Sequence, residues 1–210
     1  MTAWNGDKEL KESVIDSIKQ KIGNGQLMHG TYGEEHDGKM MGCAVFITTC
    51  NSDRPHEIFE EKYGIPAVLA RYEDVIFEQL RAPHDEKWPV RFAEAIPVGA
   101  DLSRVKSQFQ CWLMQENLSH EKLWREHDKE DAYTSKVVAA IKKVAEILQK
   151  WADTGIIDES AAWSAWSAAR SAWSAAESAE SAAESAESDF YIRASEKLLE
   201  LLAAAPVRVD

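Results

Sequence analysis

A mainly α fold with one small β-hairpin is what this sequence predicts: a helical domain followed by a long Ala/Ser/Trp/Glu repeat helix. Three observations carry that prediction. Apolar residues recur at helical steps through most of the first 150 positions. One glycine-punctuated stretch between Gln26 and Cys50 interrupts them. From Trp163 to Glu187 the chain then becomes an Ala- and Ser-rich repeat, inside a longer run from Ile156 to Ala205 without Pro or Gly.

In chain order, Leu10, Val14, Ile18 and Ile22 form the stripe of an amphipathic helix over 7–22, stopped by Gly23 and Gly25. In the interrupted stretch, Cys43 to Cys50 is short, apolar and rich in β-branched residues, so it is expected to be a strand of a hairpin or strand pair. Its turn falls in Gly33 to Gly38, where Asp37-Gly38 supplies the positive φ of a tight loop. A short helix over 55–63 stops at Gly64. Pro66 opens a longer one with Leu69, Tyr72, Ile76, Phe77 and Leu80 on one side, ending near Pro83. Further helices are expected over 89–95, 102–116 and 135–151, with Asp101 and Ser103 capping the second and Ser135 the third. Residues 1–152 are therefore read as a helix-rich globular domain with its β element near 26–50.

Residues 153–210 are of another kind. Trp163, Trp166, Arg170, Trp173, Glu177, Glu180, Glu184 and Glu187 alternate steps of three and four, a 3.5-residue period on a Ser and Ala background. The expected repeat helix buries its indoles on the body or on a second copy of the chain and leaves its carboxylates wet, because an unpaired buried carboxylate is costly. Ile141, Val144 and Leu148 are the expected partner surface, in a helical hairpin or a homodimer. Asp189 to Ala205, with Phe190, Ile192, Leu198, Leu199, Leu201 and Leu202, is expected to pack back on the body as an amphipathic helix.

Composition narrows function more than any motif does. The chain carries a formal −12 at pH 7, which disfavours direct nucleic-acid binding and favours a protein partner with a basic surface. Residues 151–210 hold eleven acids against four bases, and Glu177, Glu180, Glu184 and Glu187 form a single-sign column able to imitate a row of phosphates. Three cysteines, a polar N-terminus and the lack of an apolar run near the ~20 residues of a membrane span make a reducing cytoplasm the expected compartment, with no membrane association.

Ligand-type and nucleophile-type residues gather between His29 and His56. His29, His36, Cys43, Cys50 and His56 lack the close Cys pairs of a structural zinc site, so no metal and no cofactor is expected from them. A hydrolase or transferase would use Cys43 as nucleophile, His56 (or His36) as base and Glu60 (or Glu57 or Glu61) as orienting carboxylate; buried apolar Cys is the competing reading. Glu73, Asp74 and Glu78 on the helix after Pro66 could hold a divalent ion or serve acid/base chemistry, and are read instead as part of a solvated face. A pocket between the hairpin and that helix could take a small ligand such as a nucleotide. Phosphate-loop, dinucleotide, metalloprotease-helix and nucleophile-elbow motifs are absent.

The segments Gly30-Thr-Tyr32, Gly38-Lys-Met-Met-Gly-Cys-Ala-Val45, His56, Gly64-Ile-Pro66, Leu69-Ala-Arg-Tyr-Glu-Asp74, Ile76-Phe-Glu78, Trp88-Pro89 and Ala95-Ile-Pro-Val-Gly-Ala-Asp-Leu-Ser103 resemble, over nearly the whole chain, a family of uncharacterised proteins of bacteria, prophages and tailed phages. Phe46-Ile47 stands where that family continues Gly-Cys, which weakens any Cys-pair chemistry. The resemblance implies a phage or mobile-element setting, hence a host-cell cytoplasm, and transfers no catalytic residue. The combined expectation is a non-enzymatic, phage-associated binding protein, inhibiting a host defence or nucleic-acid-handling protein through its acidic surface.

Overall fold

The computed structural model describes residues 2–119, 121, 132–155 and 184–208. Among them are eight α-helices and one two-stranded antiparallel hairpin, the mainly helical class that the periodicity predicts. The helices are α1 (Lys8–Gly23), α2 (Ala44–Thr49), α3 (Pro55–Tyr63), α4 (Ala67–Gln79), α5 (His84–Ala95), α6 (Val105–Ser119), α7 (Ala132–Thr154) and α8 (Glu184–Ala203). The strands are β1 (Glu34–His36) and β2 (Lys39–Met41), with Glu34 opposite Met41 and His36 opposite Lys39. No helix among the described residues is long and apolar enough to cross a membrane.

The chain divides into two compact units: Met1–Ser103 with Ala186–Asp210, and Arg104–Ser185. In the second, α6 and α7 run antiparallel, since Lys106 lies over the Trp151 ring, the Cys111 thiol donates to Gln149 Oε1 at 3.2 Å, and Glu121 pairs with Lys142 at 3.5 Å. Ile141 and Val144 are buried there, and Leu148 is half-buried. The Trp163, Trp166, Trp173, Glu177 and Glu180 positions lie outside the described residues. Glu184 and Glu187 lie on the first turns of α8, and their side chains are outside the description.

The first unit closes around Ile18, Ile47, Phe59, Ile65, Leu69, Phe77, Trp88, Phe92, Ile96, Leu198 and Leu202, all fully buried. Leu198 and Leu202 come from α8, which a bidentate pair between Arg91 and Glu196 (2.7 and 2.8 Å) ties to α5. The N-terminus is locked in by a 3-10 turn, Ala3–Gly6, whose Trp4 indole is buried and donates to Ile96 O at 3.0 Å. That turn runs so close to Gly64 that a Cβ there would stand 2.2 Å from Thr2 O, at a φ of +64°. Glycine is thus required twice over at this position.

Several boundaries differ from expectation. Cys43 to Cys50 is not a strand: it is α2 with Cys43 as N-cap and Cys50 as C-cap. A short apolar run looks alike as a buried strand or a buried helix, and here all six helical residues are buried. Thr48 and Thr49 close their hydroxyls on the carbonyls of Ala44 and Val45 at 2.9 Å, so the helix buries no free hydroxyl. The hairpin lies upstream, over 34–41, with its turn at Asp37-Gly38 (φ +50° and +75°). α5 starts at His84, ahead of the expected start at Pro89; that proline is its sixth residue, and its missing N–H leaves the Asp85 carbonyl without its helical donor. Asp101 accepts from Ser103 N rather than capping α6, and Ser135 lies inside α7.

Candidate functional site

Four segments of the first unit meet at one carboxylate: loop 26–33, Cys43 ahead of α2, α3 and α4. Loop 26–33 is pinned to the end of the hairpin by Met28 N to Gly42 O (2.8 Å), Gly42 N to Gln26 O (2.9 Å) and Cys43 N to Thr31 O (2.8 Å). Gly33 and Gly42 sit against the two sides of the Phe46 ring, where a Cβ would come within 2.6 and 2.5 Å of ring atoms. This close approach seats the hairpin on α2. It brings Tyr32 over α4 and leaves Cys43, the last residue before α2, facing the same helix.

Asp74, on α4, is the hub. Its Oδ2 accepts from Tyr32 OH at 2.7 Å and from His56 Nε2 at 3.1 Å, with the Nε2–H tautomer assigned from that contact. The Tyr32 and His56 rings meet edge-on at 5.6 Å. Oδ1 is buried without a hydrogen bond of adequate geometry; the Cys43 thiol is the donor beside the carboxylate. Cys43 Sγ, an Asp74 oxygen and a Glu78 oxygen all lie within 4.8 Å of one another. Burial pushes the Asp74 carboxyl up, but the hydrogen bonds of His56, Tyr32 and Cys43 outweigh it and hold it below the usual range.

Around the hub the acid groups are held differently. Glu73 is fully buried with neither carboxylate oxygen bonded, and burial, then the charge of Asp74, push its carboxyl well above normal. Burial likewise pushes the Cys43 thiol up, reinforced by Asp74 and Glu73, so it stays protonated at neutral pH. Tyr32 is raised by burial and by Asp74. Glu78, half-exposed, accepts from Gly30 N through both oxygens at 2.9 and 3.0 Å. His29 stacks on Phe77 at 4.2 Å, with Nδ1 3.5 Å from Glu78 and Nε2 3.1 Å from Asp85 on α5.

Of the three residues read as a catalytic set, Cys43 and His56 are brought to the same carboxylate and Glu60 is not. Glu60 Oε2 accepts from Ala67 N at 3.0 Å, capping α4. Asp74 holds the histidine instead, in an order that places the carboxylate, rather than the imidazole, at the centre. The solvated-face expectation for Glu73 and Asp74 is corrected: both are buried, and only Glu78 of that group meets solvent. Glu73 occupies the position between Leu69 and Ile76 on the apolar stripe of α4, a signal present in the spacing. Tyr32 carries no such signal, because the fold of loop 26–33 alone puts it there. The chain matches no protein-family model, no curated protein and no solved structure.

Proposed function

We propose that this chain is a non-enzymatic protein-binding module that engages a partner with a basic surface, with interference in a host nucleic-acid-handling or defence protein as its setting if it is phage-encoded. One observation supports this over the enzymatic reading: Cys43, His56 and Glu60, the residues read as a catalytic set, are engaged in contacts within the fold. The Cys43 thiol is buried and protonated, His56 Nε2 is directed at Asp74, and Glu60 caps a helix. A nucleophilic cysteine needs the opposite, an accessible thiolate with a base in reach. The formal −12 supplies the attraction for a basic partner.

The test has two arms. Native protein treated with iodoacetamide at neutral pH is expected to label at exposed Cys50 and to spare buried Cys43; faster labelling of Cys43 would return the enzymatic reading to the front. In parallel, the chain and a variant with Glu177, Glu180, Glu184 and Glu187 changed to Gln are used to capture partners from host lysate. A basic protein held in a salt-sensitive manner by the first and lost by the second is the expected result. Equal retention by both would exclude the acidic column as the contact.

A further inference from the structure

The cluster on α4 poses an electrostatic problem that hydrogen bonds alone do not resolve. Asp74, Glu73, Glu78 and the Cys43 thiol share a largely buried space, and among the described residues His56 and His29 are the basic side chains paired with their carboxylates. Protons on Glu73 and Cys43 relieve part of the repulsion, and a cation in place of the thiol proton would relieve the rest. Asp74 Oδ1, buried with no hydrogen bond of adequate geometry, is separate evidence of spare acceptor capacity at the same place.

We propose that Cys43 Sγ and carboxylate oxygens of Asp74 and Glu78 form a divalent transition-metal site, with zinc as the fitting ion. A thiolate among carboxylates selects zinc over magnesium or calcium, which prefer all-oxygen ligands. The ligand atoms already lie within 4.8 Å of one another, about 1 Å beyond the ~3.3–3.8 Å edge of a tetrahedron around zinc with bonds of ~2.0–2.3 Å. The outer shell is in place: Tyr32 and His56 fix Asp74 through Oδ2, and Gly30 N and His29 fix Glu78. Half-exposed Glu78 and His29 give the ion a path from solvent and leave the fourth position open on their side. Binding converts the Cys43 thiol to a metal thiolate and releases its proton, so affinity rises with pH. This inference is independent of the binding-module reading, which neither requires nor forbids a metal.

The experiment is a Co2+ titration of the full, untagged, chelator-treated chain, followed by Zn2+. One equivalent of Co2+ is expected to give a thiolate-to-cobalt charge-transfer band in the near ultraviolet, and one equivalent of Zn2+ to abolish it. Cys43→Ser is expected to lose the band and Cys50→Ser to keep it. Glu78→Gln, at a half-exposed position that the core does not depend on, is expected to weaken cobalt binding about 10–100-fold even if Cys43→Ser fails to fold. No band from the folded wild-type chain, a band that persists in folded Cys43→Ser, or unchanged affinity in Glu78→Gln would each overturn the proposal.

Discussion

Two buried joints of the first unit are built on opposite principles. Where the N-terminal turn meets α3 and α5, Trp4, Phe59, Tyr63, Trp88 and Phe92 interlock with ring centroids 5.7 to 6.4 Å apart, and the polar atoms they bury are bonded: Trp4 to Ile96 O, Trp88 to Glu73 O, and Tyr63 to Thr48 O. Where the hairpin and α2 meet α4, the interface buries carboxylates, and the three buried side-chain oxygens left without a partner among the described residues belong to Glu73 and Asp74. The first joint is what stability requires. The second holds groups that an apolar side chain could replace without loss, since buried ionic groups are seldom net stabilising. That contrast marks the α4 cluster, rather than the aromatic one, as the place to look for a bound cation.

The sharpest way to break the comparison is to damage the aromatic joint. Trp4→Ala removes a fully buried indole and its bond to Ile96, and is expected to destabilise the chain by about 3–5 kcal/mol in urea unfolding. Any surviving folded fraction should still give the cobalt band. A variant that loses the band while folded would mean that the two joints are one cooperative structure.

Gly64→Ala attacks the same joint from the backbone. The added methyl meets Thr2 O in a left-handed conformation that by itself costs about 1–2 kcal/mol, and the N-terminal turn must move away to make room. The expected outcome is a smaller loss of stability than Trp4→Ala, accompanied by faster proteolysis at the N-terminus. Unchanged proteolysis would show that the turn shifts without detaching.

How far each joint could be read from the sequence follows the same division. α1, α3 and α4 were legible because apolar steps and Pro or Gly punctuation are local signals. Cys43 to Cys50 was not, since whether an apolar octet becomes helix or strand depends on what surrounds it, and here Phe46 fits between two glycines of the hairpin. Cys43 and His56 could be picked out by type, whereas their shared partner Asp74 had been assigned to solvent because acids are abundant in this chain. Glu73 was the missed clue: an acid on an apolar stripe. Tyr32 and His29 reach the cluster only through the tertiary course of loop 26–33, which no spacing encodes.

The polar joint gives its own, smaller signature in the pH dependence of stability. Because the folded Glu73 carboxyl is raised above its ordinary value of 4.5, the folded chain holds a proton that the unfolded chain releases. Its contribution is fully present below pH 4.5 and is lost as pH rises toward the folded value, with a slope of at most ~1.4 kcal/mol per pH unit. Urea unfolding of the metal-free chain should therefore show stability falling over that window in the wild type, and a flatter profile in Glu73→Gln. Parallel profiles would mean that the Glu73 carboxyl titrates alike in the folded and unfolded chain, and that burial does not hold its proton.

The smallest effect is expected at the C-terminal clasp, which belongs to neither joint and calibrates both. There Ala100 bridges to Val207, Asp101 N donates to Pro206 O, and Arg208 donates to Asp101 Oδ2 at 2.7 Å. The Arg208 and Ser103 hydrogen bonds hold the Asp101 carboxyl at about 2, below its ordinary 3.8, so its contribution exists above pH 3.8 and is lost as pH falls toward 2. Arg208 is largely exposed, so solvent screens the pair, and Arg208→Ala is expected to cost less than about 1 kcal/mol at neutral pH. Since Ser103 remains, the variant should keep part of the acid dependence and converge on the wild type between pH 4 and 2 in unfolding experiments. Backbone bonds around Gly99 to Asp101 hold this clasp as well, and a loss near that of Trp4→Ala would mean that α8 closes the first unit through its charged end rather than through Leu198 and Leu202.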